Sequence, residues 1–323
     1  MNSTPPASSR SPDFQSTQEL LRTILQSSRI CLQQVERLKG VLNRVYLVRL
    51  ADGRAYVMKC PPYRSTPLLR QERHGMQDES RILKLMATAP DVPIPRIVHC
   101  REHGGSFGPY LLRTFIPGTR LTEMAPYLTA SERETIDRTL GRHMERITSS
   151  TAGTFGTSAP VFAGEGHSNW QKAFHHLLES TLRDAEDMLV SVPYESIRSH
   201  FEKHGHLLRL ITTSQLVPMQ AGLPENVIID QHTKQVSGII GFSDTIWGDP
   251  MISPVLAQAS PAFWKGYGKY PSPSEGERTR QLMYTMYRAL VQIVTNYYRP
   301  SEDDLELEAR RLLTWSLNQL DAI

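Results

Sequence analysis

Two runs rich in valine, leucine and tyrosine, Asn43–Leu50 (NRVYLVRL) and Arg54–Cys60 (RAYVMKC), flank the tripeptide Ala51-Asp52-Gly53. An Asp-Gly step accepts the positive φ of a tight hairpin, so these runs are expected to pair as antiparallel strands. Cys31–Leu38 precedes them as a further strand, and a short helix over Gln18–Gln26 comes before that, with Leu20, Leu21, Ile24 and Leu25 at helical spacing. Pro61-Pro62 ends the hairpin. A helix is expected from about Pro67 to Ala89, with Ile82, Leu83, Leu85 and Met86 as an apolar stripe. Each proline of Val92-Pro93-Ile94-Pro95 biases its predecessor to extended geometry. Strands then fit Arg96–Cys100 and Tyr110–Phe115, stopped by Pro117-Gly118.

Beyond Gly118 the apolar period changes to that of a helix. Ala130–Thr148, Asn169–Val190, Tyr194–Ile211, Gly276–Tyr298 and Ser301–Leu320 all carry it. One β island interrupts them, at Leu216–Val217, Asn226–Asp230 and Gln235–Gly241. There is no internal repeat. The expected class is therefore α+β with two lobes: a disordered tail over 1–17, a small β-rich N-lobe over 18–117 and a large helical C-lobe over 118–323. A cleft between unequal lobes is a common place for a small ligand.

Composition narrows the function. The 323 residues carry 36 Lys and Arg against 33 Asp and Glu, with no basic block, which argues against nucleic acid as the main partner. No apolar run approaches the roughly 18 residues of a membrane span. The Ser/Pro-rich start lacks the apolar stretch of a secretory signal, so a cytoplasmic location is expected. Cys31, Cys60 and Cys100 fit neither a disulfide framework nor a zinc site and are expected to be idle or buried thiols.

The motifs along the chain resemble, in order, those of the aminoglycoside phosphotransferase and choline kinase-like family, whose fold is that of protein kinases. The run Gly40-x-x-Asn43-Arg44-Val45-Tyr46, with Asp52-Gly53-Arg54 and Val57-Met58-Lys59, is similar to its nucleotide-binding hairpin. Glu79-Ser80-Arg81-Ile82-Leu83 resembles the helix bearing the lysine's partner. Val92-Pro93-Ile94-Pro95 and Pro109–Gly118 resemble the linker and hinge. Pro224–Asp230 resembles the end of the catalytic loop. Gly238-Ile239-Ile240 and Trp247-Gly248-Asp249-Pro250 flank the metal segment. Gly266-Tyr267-Gly268 and Tyr297-Tyr298-Arg299 are similar to fungal and bacterial members. The resemblance spans about residues 30–320. It implies the two-lobed protein-kinase-like fold, with Lys59 over nucleotide phosphates and Glu79 as its anchor, Glu72 and Asp78 being rivals for that role. Gly40 and Asn43 would edge the phosphate loop, where Val41 and Leu42 add bulk.

The departures bear on chemistry. The family loop reads His-x-Asp-Leu-x-x-x-Asn, its Asp orienting the acceptor hydroxyl and its Asn binding magnesium. Counting back from Asn226 puts Ala221 at the Asp; allowing one deletion puts Gly222 there. No Asp or Glu lies between Glu202 and Glu225. In Gly238-Ile239-Ile240-Gly241-Phe242, Gly241 stands where the family has its metal-binding Asp. Magnesium needs hard oxygen ligands, usually a carboxylate. Asn226 remains, and Asp244 is the nearest acid, expected to make a loop contact or to swing in as a weak ligand. Asp249 is expected to accept local backbone N–H groups.

Other clusters are ambiguous. His200 and His204 sit at i and i+4, a spacing suited to a metal but also to a solvated helix face, as for His175-His176. The stripe Met283, Tyr284, Met286, Tyr287, Leu290 and Val291 fits C-lobe core or the wall of an acceptor pocket. Gly-x-Ser-x-Gly is absent. The expected function is a kinase-like protein whose cleft binds a small organic molecule. ATP and magnesium binding would be weakened and conventional phosphotransfer lost. The fungal resemblance implies a natural-product pathway, with a non-phosphoryl reaction in the cleft as one form of this. The alternatives are an atypical ATP-dependent phosphotransferase of a hydroxylated small molecule, and a non-catalytic pseudokinase scaffold with a protein partner.

Overall fold

The computed structural model describes residues 12–88, 91–104, 107–271, 274–300 and 305–323. The N-lobe opens with α1 (Phe14–Ile24), capped by the Asp13 carboxylate, which accepts from Ser16 N at 2.8 Å. Strands β1 (Leu32–Leu38), β2 (Arg44–Leu50) and β3 (Ala55–Cys60), then α2 (Gly75–Met86), β4 (Ile97–Arg101) and β5 (Tyr110–Thr114) complete it. The five strands form one antiparallel sheet in the order β1-β2-β3-β5-β4. Gly53 N closes the hairpin by donating to Leu50 O at 3.1 Å.

Strand alternation gives this sheet two different faces. Tyr46, Val48, Leu50, Tyr56, Met58, Cys60, Tyr110 and Leu112 form one core with Leu20 and Leu21 of α1. Val57, Lys59, Leu111 and Arg113 alternate with them and face the other way.

The C-lobe contains β6 (Thr119–Arg120), α3 (Leu121–Met124), α4 (Ala130–Thr148), β7 (Thr151–Ala152), β8 (Gly156–Thr157), α5 (Ser158–Ala163), α6 (Trp170–Asp187) and α7 (Tyr194–His204). It continues through β9 (Ser214–Pro218), β10 (Val227–Ile229), β11 (Val236–Ile239), β12 (Thr245–Gly248), α8 (Pro254–Ala257), α9 (Pro261–Tyr267), α10 (Glu275–Tyr298) and α11 (Leu305–Asp321). Two small sheets sit at the lobe junction, β11-β10-β6 and β7-β9-β12-β8. The first holds the loop after Asn226 against the hinge, and the second aligns the segment before Met219 with the segment after Asp244. Two apolar clusters fill the lobe. One joins α6, α10 and α11; the other joins α2 and α4 to the junction strands, so α2 belongs energetically to both lobes.

The structure corrects several expectations. The predicted tail to Thr17 overlaps α1, because Asp13 caps a helix there and Thr17 is buried; residues 1–11 lie outside the described residues. The helix expected over Pro67–Ala89 is confined to Gly75–Met86. The stretch before it is held by the C-lobe instead: Leu69 is buried in the α6–α10 cluster, and Arg70 pairs with Asp184. Glu72 pairs with Arg299, the residue after α10, whose Nη1 donates to Glu72 Oε2 at 3.0 Å. The helix from Tyr194 gives way to a 3-10 turn over Gly205–Leu210. The strand β12 is additional to the expected island.

His200 and His204 are not a solvated face: both are buried, with rings stacked at 6.1 Å. His175 and His176 are exposed. Of the cysteines, Cys60 is buried, its thiol pushed up to about 11 by burial, whereas Cys31 is exposed; all three are free thiols. Met283, Tyr284, Met286, Tyr287 and Leu290 are core residues.

Candidate functional site

The site lies on the second face of the N-lobe sheet, against α2. Buried positions on α2 recur as Met76, Glu79, Ile82, Leu83 and Met86, which fixes Glu79 on the inward stripe. The Lys59 ammonium, on β3, meets Glu79 Oε2 at 2.5 Å. Glu79 is wholly buried and Lys59 is 8% exposed. Arg113 of β5 adds a second cation, its Nη1 lying 3.5 Å from Glu79 Oε1. Burial would raise the Glu79 carboxyl, but Lys59 and then Arg113 outweigh it and hold Glu79 below the usual glutamate range. Burial, opposed by Glu79 and reinforced by Arg113, holds Lys59 below the usual lysine range. The rivals for the anchoring role are placed elsewhere. Glu72 is committed to Arg299, and the buried Asp78 is pushed up to about 6 by burial against the opposing charge of Arg81.

Gly40 and Asn43 lie in the turn between β1 and β2. This turn closes on itself, since a Cβ on Gly40 would stand 2.5 Å from Asn43 O. Val41 is 82% exposed, so its bulk points away from the sheet and does not fill the cleft.

Below the sheet, the loop from Met219 to Asn226 is folded by its own hydrogen bonds. Leu223 N donates to Gln220 O, Asn226 N donates to Leu223 O, and Asn226 Nδ2 donates to Gln220 O at 3.0 Å. Ala221 is fully buried within the α2–α4 cluster. Gly222 has φ +94°, and a Cβ there would meet Met144 Sδ at 2.9 Å. Gly241 also has φ +94°, and its Cβ would meet Asn226 Nδ2 at 2.8 Å. Asp244 is half-buried, its carboxyl pushed up to about 7 by burial and then by Glu72 and Asp78. Its carbonyl accepts from Met219 N at 2.8 Å. Asp249 is structural: it accepts from Met251 N at 3.0 Å and from Tyr284 OH at 2.7 Å.

These residues do not fit magnesium. The position nearest Asn226 supplies no oxygen ligand, and the Asn226 amide turns its nitrogen, not its oxygen, toward Gly241. Burial and then the neighbouring acids Glu72 and Asp78 raise the proton affinity of Asp244, and Glu72 is itself committed to Arg299. Among the described residues no group of three or more His, Cys, Asp or Glu is arranged to hold a metal. The residues at hand that would bear on nucleotide phosphates are Lys59 and the turn at Gly40–Asn43.

The family resemblance pairs Lys59 with Glu79, and the structure places them in contact. The resemblance misses Arg113, whose position two residues from Leu111 on a strand facing Lys59 is the available signal. It also misses the Glu72–Arg299 tie, which depends on a contact between distant segments.

Residues 34–190 match the sequence model of the APH phosphotransferase enzyme family. The N-terminal half of the chain is thus similar in sequence to that family, and the fold of the whole chain is shared with solved phosphotransferase structures. A candidate fructosamine-3-kinase from Haemophilus somnus 129PT superposes with a TM-score of 0.69 at 15% identity, covering 95% of this chain and 97% of that one. The ADP-bound aminoglycoside phosphotransferase APH(2'')-Ib gives 0.61 at 17% identity, covering 96% and 99%. The streptomycin-ATP complex of APH(2")-IIa gives 0.60 at 16% identity, covering 97% and 98%. No curated protein matches the chain. At these identities the neighbours carry the fold and not the activity. Among the described residues no helix is long and apolar enough to cross a membrane.

Proposed function

We propose that this protein binds a small organic molecule in its inter-lobe cleft and does not perform magnesium-dependent phosphotransfer. The observation that carries this is the lack of a carboxylate at Gly241 and at Ala221 or Gly222. Each is closed to one: Ala221 by burial in an apolar cluster, Gly222 by its φ and by Met144, Gly241 by its φ and by Asn226. Phosphoryl transfer is almost entirely positioning and charge neutralisation, so losing both acids removes most of what an enzyme contributes. A positioned base alone contributes typically ~10²–10⁴-fold. A natural-product setting, a non-phosphoryl reaction in the cleft and a cytoplasmic location rest on the sequence resemblance and composition.

A second reading is favoured by one observation, the intact buried Lys59–Glu79 pair. That pair supports an atypical ATP-dependent phosphotransferase in which Lys59 still meets phosphate. A purely non-catalytic scaffold is the third possibility, with the pair serving only to hold the N-lobe together. The test is γ-phosphate transfer from labelled ATP to a panel of hydroxylated and amino acceptors, with magnesium or manganese. Turnover above buffer that disappears in Lys59→Met favours the second reading. Background rates throughout, with a saturable small-molecule ligand, favour the first.

A further inference from the structure

Helix α10 presents two different sides. Met283, Tyr287 and Leu290 pack into the α6 cluster, and the Tyr287 hydroxyl reaches Gln71. Gln281, Thr285 and Arg288 recur at i, i+4 and i+7, which puts them together on the opposite side of the helix. There they line a cavity of about 220 Å³ whose facing wall is apolar, built from Met251, Leu256 of α8 and Trp264 of α9. The Trp264 ring is itself buttressed by Tyr267, edge-on at 5.5 Å, and by Tyr270 at 6.3 Å. The cavity shares no lining residue with the Lys59–Glu79 pair, the loop from Met219 to Asn226, or Gly241.

Arg288 is the one charged group on the polar wall, and it is half-buried. Its Nη1 donates to Ile252 O at 3.1 Å and its Nη2 to Thr285 Oγ1 at 3.0 Å. The Thr285 hydroxyl in turn donates to Gln281 O at 2.8 Å, so the guanidinium is held in place along the stripe. Both of its acceptors are neutral. Arg280, on the same helix, has Asp249 as counter-charge, and Arg299 just beyond it has Glu72; among the described residues no carboxylate is ion-paired with Arg288. Burial pushes it down to about 10, opposed by Tyr284, so it stays charged at neutral pH. A guanidinium has more N–H donors than these bonds use. A partly dehydrated cation without a counter-charge favours an arriving anion, and its planar fork matches the two oxygens of a carboxylate. A bare anion would leave the Met251 and Trp264 wall wet, and a neutral apolar molecule would leave the guanidinium uncompensated. The volume is below the ~300–1,000 Å³ of common ligand pockets, so the body that fits is small.

We propose that the cavity between α8, α9 and α10 is a second ligand site, separate from the inter-lobe cleft, which binds a small monocarboxylic acid with an apolar body: the carboxylate on Arg288, the body against Trp264 and Met251. The site does not depend on what the cleft binds or catalyses.

The test titrates the full chain calorimetrically with phenylacetate, with its neutral isostere phenylacetamide and with acetate, at constant ionic strength set with chloride. Phenylacetate should bind with 1:1 stoichiometry and about tenfold or more tightly than either of the others, each of which lacks one half of the match. Arg288→Met should weaken phenylacetate binding by about tenfold or more. Should Arg288→Met not fold, Ala257→Phe serves instead: Ala257 lines the cavity but is exposed, so a ring there narrows the cavity without entering the core, and binding should weaken severalfold. Lys59→Met, on the N-lobe, should bind phenylacetate as the wild type does. Absence of saturable phenylacetate binding overturns the proposal, as does equal binding of phenylacetamide or acetate, or an affinity unchanged by the Arg288 or Ala257 substitution. So does a folded Lys59→Met protein that no longer binds phenylacetate, because the ligand would then occupy the inter-lobe cleft.

Discussion

Gly241 leaves no room for a side chain beside Asn226: a Cβ on it would stand 2.8 Å from Asn226 Nδ2, and the Gly241 backbone has φ +94°. The Gly241 backbone adopts a left-handed conformation that favours glycine, and the Asn226 amide donates to Gln220 O at 3.0 Å.

Gly241→Asp should therefore fail to rebuild a metal site, although the family resemblance puts an Asp at that position. The left-handed backbone costs about 1–3 kcal/mol for a non-glycine residue, and displacement of Asn226 adds to it. Urea denaturation should show that loss for Gly241→Asp and a similar one for Gly241→Ala. Magnesium should leave the ATP affinity of Gly241→Asp unchanged. A magnesium-dependent gain in that variant would mean that the loop readily returns to a metal-binding form.

The sharing of Glu79 by Lys59 and Arg113 makes the two halves of the ion pair unequal. Lys59→Met leaves Glu79 paired with Arg113, and a loss of about 1–2 kcal/mol is expected. Glu79→Gln leaves two buried cations without a counter-charge, and the loss should reach about 3–5 kcal/mol. Equilibrium unfolding of both variants checks the order. Equal losses would show that Arg113 does not sense Glu79.

Asp244 gives a pH signature. Its folded carboxyl titrates at about 7, well above the ordinary 3.8. Between those values the folded state binds more protons than the unfolded chain, so this group's contribution to stability is full below about pH 4 and is lost as pH rises through about 7. Asp244→Asn should remove that slope and stabilise the protein at pH 8 by about 1–2 kcal/mol, allowing for the group's partial solvent access. Denaturation at pH 5 and pH 8 measures both. An unchanged slope in the variant would assign the pH dependence to other groups, Asp78 first among them.

The segment between β3 and α2 ties the lobes together. Arg70 N donates to Asp184 Oδ2 at 3.0 Å, and Tyr287 OH donates to Gln71 Oε1 at 3.1 Å. Asp184→Ala should cost about 2–3 kcal/mol, because a buried acceptor of two donors is lost. Hydrogen exchange should show faster opening of α2 in that variant, with α4 unaffected. Uniform acceleration of both helices would mean that the segment does not couple specifically to α2.

Where local pattern and tertiary structure agree, the sequence is readable. The α4 span is expected and found as Ala130–Thr148 because its apolar period is clear, and the structure adds a capping box at Thr129 and Glu132. The β2–β3 hairpin follows from Asp52-Gly53 for the same reason. The stretch before α2 is misread as helix because Leu69, Arg70 and Glu72 are held by residues of α6 and α10 and by Arg299 just after it, which no local pattern announces. In the site, Lys59 and Glu79 are legible from motif order. The obstruction at Gly241 is not, since it depends on where Asn226 points. The sharing of Glu79 by Arg113 is hidden for a similar reason, because strand register alone says nothing of what else lies within reach.

Calorimetric ATP binding by the wild-type chain, with and without magnesium and paired with a γ-phosphate transfer assay, bears most directly on whether phosphotransfer has been lost. The expected result is an ATP affinity that magnesium does not raise, and transfer rates indistinguishable from buffer for every acceptor. A magnesium-enhanced affinity together with acceptor phosphorylation abolished by Lys59→Met would contradict it.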